Sequence, residues 1–208
     1  MTAVNAGAAA VPTAEEVVAE APAGRPTGWW GMVMFITTEA TLFAALIASY
    51  FYLRFQSTPQ WPLGDIKAPE LPLPLVMSAI LLSSSLPMAW ADRGIRQGQV
   101  GRLRLGLALT FLLGATFLGL QGYEYLIKLK EFTPTTNVYG SLFFAITGFH
   151  GMHVLVGLLL ILFTQVRAWL GHFGRGRHLH VQTTAIYWHF VDAVWVVIML
   201  SLYIGPHL

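Results

Sequence analysis

The sequence TGFHGMH at residues 147–153 and the sequence YWHFVDAVW at residues 187–195 lie within two long apolar runs that together extend to about residue 204. Both runs carry ionisable side chains where an apolar helix would meet lipid. An imidazole or carboxyl group at membrane depth is costly, so it must face other protein, a polar partner or water. The polar residues of these runs are therefore the first candidates for function: His150, His153, His189 and Asp192.

The composition of the whole chain indicates an integral membrane protein. Of its 208 residues, 55% are hydrophobic and only 11% are charged, and the mean hydropathy is +0.61. Several apolar runs reach about twenty residues, the length that crosses a bilayer core. A net charge of +2 is too small to predict nucleic-acid binding. The absence of cysteine from the sequence excludes disulfides, thiolate metal sites and cysteine nucleophiles.

The apolar runs predict an all-α fold, a polytopic membrane helix bundle with five transmembrane helices. The predicted spans are residues 29–52, 73–90, 105–127, 139–169 and 183–204. Residues 1–28 lack the basic start and apolar core of a signal peptide, so we expect a disordered cytoplasmic tail there. Residues 29–208 then form one membrane domain, with irregular loops expected at 55–70, 91–104 and 171–180.

Lysine and arginine are divided unequally between the two sides of this bundle. The tail and the loops after spans two and four carry Arg25, Arg93, Arg96, Arg102, Arg104, Arg167, Arg175 and Arg177. The opposite side carries Arg54, Lys67, Lys128 and Lys130. Because basic residues favour the cytoplasmic side of a membrane, we expect a cytoplasmic N-terminus and a C-terminus outside.

Two pairs of polar residues share helix faces. His150 lies three residues before His153, and His189 lies three residues before Asp192, so each pair projects from one face. Three histidines and an aspartate on neighbouring helices can bind a metal ion or supply haem ligands, which would make a self-sufficient membrane haem or metal protein. The alternative is interhelical packing, which the interleaved glycines favour. A transporter is disfavoured because no inverted repeat is visible.

Three further sets of residues have two interpretations each. Glu39 lies about ten residues into the first span, near the bilayer centre. It is either a neutral, hydrogen-bonded carboxyl group or part of a proton, oxygen or lipid pathway. Glu124 is either at a solvated helix end or paired with a residue of another chain. His172, His178 and His180 either collect protons near the surface or form a basic turn against anionic lipid headgroups.

Four blocks of sequence carry a resemblance to a known family. They are GMVMFITTE at residues 31–39, LQGYEY at 120–125, VYGS at 138–141 followed by TGFHGMHV at 147–154, and YWHFVD at 187–192. In this order and spacing they resemble subunit III of the haem-copper terminal oxidases, over nearly all of the chain after residue 28. The sequence around Glu39 and His150 is more similar to the cytochrome c oxidase branch, with subunit III of a quinol oxidase as the alternative.

The resemblance implies an accessory subunit of a bacterial, proton-pumping cytochrome c oxidase in the plasma membrane and the aerobic respiratory chain. It implies oxidase subunits I and II as partners, with a small subunit IV as a further candidate, and structural phospholipid as a ligand. In the family, haem and copper lie in partner subunits, so this chain is expected to hold neither and to be non-catalytic itself.

The resemblance also implies roles for particular residues. Glu39 matches the family's mid-membrane glutamate, which is associated with a lipid-lined route for oxygen to subunit I. The subunit would also support proton uptake and sustained turnover. His150, His153, His189 and Asp192 become packing and lipid-cleft residues and not ligands. The longest family members have seven spans, so we expect a partner subunit to complete the cleft that their first two helices line.

Overall fold

The computed structural model describes residues 24–57, 61–64 and 66–207, so most of the predicted tail lies outside the described residues. Five long helices form its framework: α1 (Thr27–Gln56), α2 (Pro72–Arg96), α3 (Val100–Glu131), α4 (Val138–Trp169) and α5 (Leu179–Ile198). A π-helical turn, Met199–Ile204, and a 3-10 turn, Gly205–His207, continue α5 to the end of the described chain. All five helices are long and apolar enough to cross a membrane, which confirms the predicted all-α, five-span fold.

The helices extend further than the predicted spans at their charged ends. α2 continues to Arg96 and α3 begins at Val100, so the loop predicted at residues 91–104 is wrong and most of that segment is helical. Long basic side chains allow this, because their apolar stems lie along the helix while their charges reach the headgroups. The remaining turn depends on Gly98, whose φ of +79° is left-handed and favours glycine.

The fifth helix is the centre of the bundle. α5 packs against α1, α2 and α4, while α3 joins α2 to α4 on the far side. By contrast, α1 is peripheral, with only Phe43 and Tyr50 buried along its length. Its small residues Ala40, Ala44 and Ala48 point away from the bundle and are exposed. An apolar face of α1 is therefore free to meet lipid or another protein.

Trp188 of α5 contacts three other helices, α2, α3 and α4. Its side chain is fully buried, and its indole N–H donates to Ser84 Oγ on α2 at 2.8 Å. A Cβ atom at Gly114 of α3 would lie 2.5 Å from the indole, and one at Gly157 of α4 would lie 2.9 Å from it. Glycine is required at both positions because the ring occupies the space that any larger side chain would need.

Candidate functional site

Glu39 of α1 and His153 of α4 form a hydrogen-bonded pair at mid-helix depth. His153 Nε2 lies 3.0 Å from Glu39 Oε2. The His153 side chain is 9% exposed and lies inside the bundle, while the Glu39 side chain is 22% exposed and lies at its edge. The pair ties the peripheral helix α1 to the interior through a bond between polar groups. Such a bond is strong in surroundings of low dielectric.

The hydrogen positions of this pair follow from its second contact. His153 Nδ1 lies 2.7 Å from the carbonyl oxygen of Phe149, and a carbonyl only accepts, so Nδ1 carries a hydrogen. Nε2 then either accepts a hydrogen from a protonated Glu39 or, in the imidazolium form, donates one to the carboxylate. In both arrangements one proton lies between Glu39 and His153 and the pair has no net charge. It can therefore hold one proton at membrane depth without burying an isolated charge.

An apolar cavity of about 210 Å³ adjoins the pair. Apart from the pair itself, the lining consists of Phe35, Leu42, Phe149, Met152, Val156 and Tyr187. The Tyr187 hydroxyl donates to the carbonyl oxygen of His153 at 3.2 Å and so fixes the wall of the cavity. Apolar cavities stay dry and accept small apolar molecules. The arrangement thus combines space for an apolar guest with one group that holds a proton.

His150 lies on the same helix but outside this cavity. Its side chain is fully buried, with its ring 5.1 Å from that of Trp195 and 5.9 Å from that of Phe117. Neither ring nitrogen has a hydrogen-bond partner among the described residues. Its ring therefore packs like an aromatic residue of the core.

His189 and Asp192 meet α2 at a second place in the bundle. Ser85 Oγ donates to Asp192 Oδ2 and lies 2.9 Å from His189 Nδ1. Asp192 is 4% exposed, and its other oxygen, Oδ1, has no hydrogen-bond partner in the described chain. The prediction that His189 and Asp192 share a helix face is confirmed, but sequence reasoning did not identify Ser85 as their common partner.

The histidines do not converge on one centre. His153 faces Glu39, His150 faces the aromatic core and His189 faces Ser85. Within residues 24–57, 61–64 and 66–207 there is no group of three or more histidine, cysteine, aspartate or glutamate side chains placed to bind a metal ion. The described residues therefore do not bring the three histidines and Asp192 together at the single site considered from the sequence.

Glu124 has a partner within this chain. It is 2% exposed, so the solvated helix end considered from the sequence is wrong. The hydroxyl of Tyr203 donates to Glu124 Oε2 at 2.9 Å. Tyr203 lies in the π-helical turn that ends α5, and its hydroxyl contacts a residue 79 positions earlier in the chain. This partner was missed because a π turn has no clear sequence signal.

The three loop histidines differ in their surroundings. His172 is exposed and His178 is half-buried at the start of α5. The ring of His180 stacks against Phe173, with centroids 6.3 Å apart, and meets the edge of Phe163. Of the three, only His172 is exposed, so a proton-collecting role of this surface would depend mainly on His172. That role remains a prediction.

The chain is similar to known proteins over most of its length. A family model described as cytochrome c oxidase subunit III matches residues 23–206, which include all five helices. A protein of Lumbricus terrestris named cytochrome c oxidase subunit 3 is 37% identical over 179 residues, covering 84% of this chain and 68% of the relative. Similar proteins of the same name occur in Drosophila melanogaster, at 36% identity, and Gallus gallus, at 37%, with the same coverage.

Proposed function

The chain belongs to the cytochrome c oxidase subunit III family, and on this basis we propose that it is a lipid-bearing support beside subunit I of a terminal oxidase. Haem and copper would lie in the partner subunits I and II, and this subunit would not itself catalyse the reaction. The observation that carries the proposal is the Glu39–His153 pair at the wall of an apolar cavity. Its role would be to support oxygen entry, proton uptake and sustained turnover in the neighbouring subunit.

The chemistry of the cavity suits dioxygen and lipid chains. Dioxygen is small and apolar, so it partitions into hydrocarbon and into dry apolar cavities. Glu39 is partly exposed at the edge of the bundle, and Phe149 and Met152 beside it are exposed as well. The cavity therefore opens toward the hydrocarbon, where an acyl chain or dioxygen would arrive. The Glu39–His153 bond would keep this opening in shape by holding α1 on α4.

Two surfaces suit a partner subunit and phospholipid. The outward row of Ala40, Ala44 and Ala48 would let a helix of subunit I approach α1 closely. Arg104 lies 4.7 Å from the Trp169 ring, a combination of cation and aromatic side chain that suits a lipid headgroup at the membrane interface. A small subunit IV is a further candidate partner.

We place the complex in a bacterial plasma membrane, with the N-terminus in the cytoplasm. The support for this orientation is the excess of arginine on one side of the bundle, since basic residues favour the cytoplasmic side of a membrane. Cytochrome c is the proposed electron donor in preference to quinol, because the relatives carry the cytochrome c oxidase name. Oxidation of each donor by the purified complex would distinguish the two.

The Glu39→Ala variant tests the proposed role of the pair. We expect the complex to assemble and to start turnover normally, because Glu39 lies at the edge of the bundle. The variant leaves the buried ring of His153 without its partner, which should lower stability by at least about 1 kcal/mol. Activity should therefore decay sooner, with a lifetime shorter by about fivefold or more. The measurement is oxygen consumption by the purified complex followed to inactivation.

Two control variants sharpen this experiment. Glu70→Ala removes an exposed carboxyl group outside the helices and should leave the lifetime unchanged. Glu39→Gln keeps a hydrogen-bond donor for His153 but cannot give up a proton, so it separates a packing role from proton transfer. A Glu39→Ala lifetime equal to that of the unmodified complex would exclude the proposed role of Glu39.

A further inference from the structure

A second, larger cavity lies on another face of the bundle. Its volume is about 550 Å³, and it opens between the start of α1, the end of α2 and the first half of α5. Its polar and charged lining consists of Arg25, Asp92, Arg93, Arg96, Gln182 and His189. A cavity of this size with this many polar groups in its lining has the room and the hydrogen-bond partners that water needs. Water that enters it from the arginine-rich ends of the helices would reach the ring of His189.

His189 is the first member of a hydrogen-bonded chain that leads deeper. Its Nδ1 lies 2.9 Å from Ser85 Oγ, and Ser85 Oγ donates to Asp192 Oδ2. Asp192 lies thirteen positions after the first residue of α5, which at 1.5 Å per residue is about 20 Å from the helix start and within the hydrocarbon core. Water in the cavity and a buried carboxyl group are thus joined through two side chains.

The hydrogens of this chain have two complete arrangements. With Asp192 ionised, His189 Nδ1–H donates to Ser85 Oγ, and the Ser85 hydroxyl donates to Asp192. A proton that arrives from cavity water at His189 Nε2 releases the Nδ1 proton to Ser85, which passes its own proton to Asp192. The products are neutral His189 with its hydrogen on Nε2, an intact Ser85 hydroxyl and a protonated Asp192. Each bond has moved one proton, and the reverse sequence returns it to the water.

We propose that Ser85 and His189 form a proton relay that makes Asp192 a proton-exchange site of this chain. An ionisable residue within a transmembrane helix needs a partner or a function, and Asp192 retains an oxygen, Oδ1, with no partner among the described residues. The charged groups around the entrance are Arg25, Asp92, Arg93 and Arg96, so three cations and one carboxylate face the water there. The relay shares no residue with the Glu39–His153 site and does not depend on the role proposed for that pair.

The test is infrared spectroscopy of the purified complex during exchange from H₂O into D₂O. The carboxyl band of Asp192 is the one that disappears in the Asp192→Asn variant, and its isotope shift reports when the buried proton exchanges. Ser85→Ala breaks the chain and should slow this exchange by about tenfold or more. Ser85→Thr keeps the hydroxyl and should exchange as fast as the unmodified complex.

Two further variants keep the result decisive. Ser83→Ala removes an exposed hydroxyl two residues away, one that donates to the carbonyl oxygen of Ile80, and should not change the rate. His189→Phe should slow exchange as Ser85→Ala does, and it serves as the test if Ser85→Ala does not assemble. Exchange as fast in Ser85→Ala or His189→Phe as in the unmodified complex would overturn the proposal. Equal slowing by Ser83→Ala would overturn it as well. The proposal would also fail if Asp192→Asn removed no carboxyl band at any pH at which the complex is intact.

Discussion

Replacing Gly114 by leucine is expected to lower the free energy of unfolding by about 3 kcal/mol or more, because it overpacks the most crowded point of the bundle. Even a Cβ atom there would lie 2.5 Å from Trp188 and 2.9 Å from Leu158. Trp188 cannot move aside, since it is fully buried and its indole N–H is bonded to Ser84. The measurement is denaturation of the purified complex, together with the amount of the subunit in the membrane.

The control for this prediction lies on the same helix. A Cβ atom at Gly119 would meet nothing within 4 Å, so Gly119→Leu should be neutral, or stabilising by a few tenths of a kcal/mol to about 1 kcal/mol, because leucine favours a helix more than glycine does. Equal destabilisation by both substitutions would mean that the Trp188 contact is not the cause. A stable Gly114→Leu variant would show that the indole has room to relocate.

Removing the Tyr203 hydroxyl should destabilise the chain by about 1–3 kcal/mol, because it leaves the buried carboxyl group of Glu124 without its donor. The change is Tyr203→Phe, which keeps the ring and therefore its packing against Phe143 and Trp195. The same denaturation measurement applies. The matched control is Tyr123→Phe, which deletes an identical group from a side chain that is 57% exposed and should have little effect.

A double variant separates this hydrogen bond from other effects of the substitution. When Glu124→Met and Tyr203→Phe are combined, both polar partners are replaced by apolar groups of similar size, so most of the lost stability should return. If the two losses simply add, the bond between Tyr203 and Glu124 does not carry the effect.

The five helices could be predicted from the sequence because each contains an apolar run long enough to cross a bilayer. Their ends could not, since hydropathy falls at the first arginine while the helix continues for another turn or more, as α2 does from Asp92 to Arg96. A salt bridge of 2.7 Å between these two residues supports that extra turn. The prediction of a loop there equated the end of the apolar run with the end of the helix.

The residue types of the candidate site could be predicted as well, but their partners could not. Glu39 and His153 are 114 positions apart, and helical periodicity relates only residues within one helix. The pairing of Ser85 with His189 and Asp192 spans more than 100 positions in the same way. Which helix faces which depends on packing, here on Trp188 and the two glycines that receive it. The roles proposed for these side chains in oxygen or proton handling remain predictions.

The short turn between α2 and α3 has a consequence for how the protein is made. Only residues 97–99 separate the two helices, too few for one of them to reverse its direction across the membrane while the other keeps it. We therefore expect the pair to enter the bilayer as a helical hairpin, with the arginines on both sides of Gly98 remaining together on one side of the membrane. An error in orientation at this point would invert both helices at once and leave α5 without the α2 serines that bind its two tryptophans.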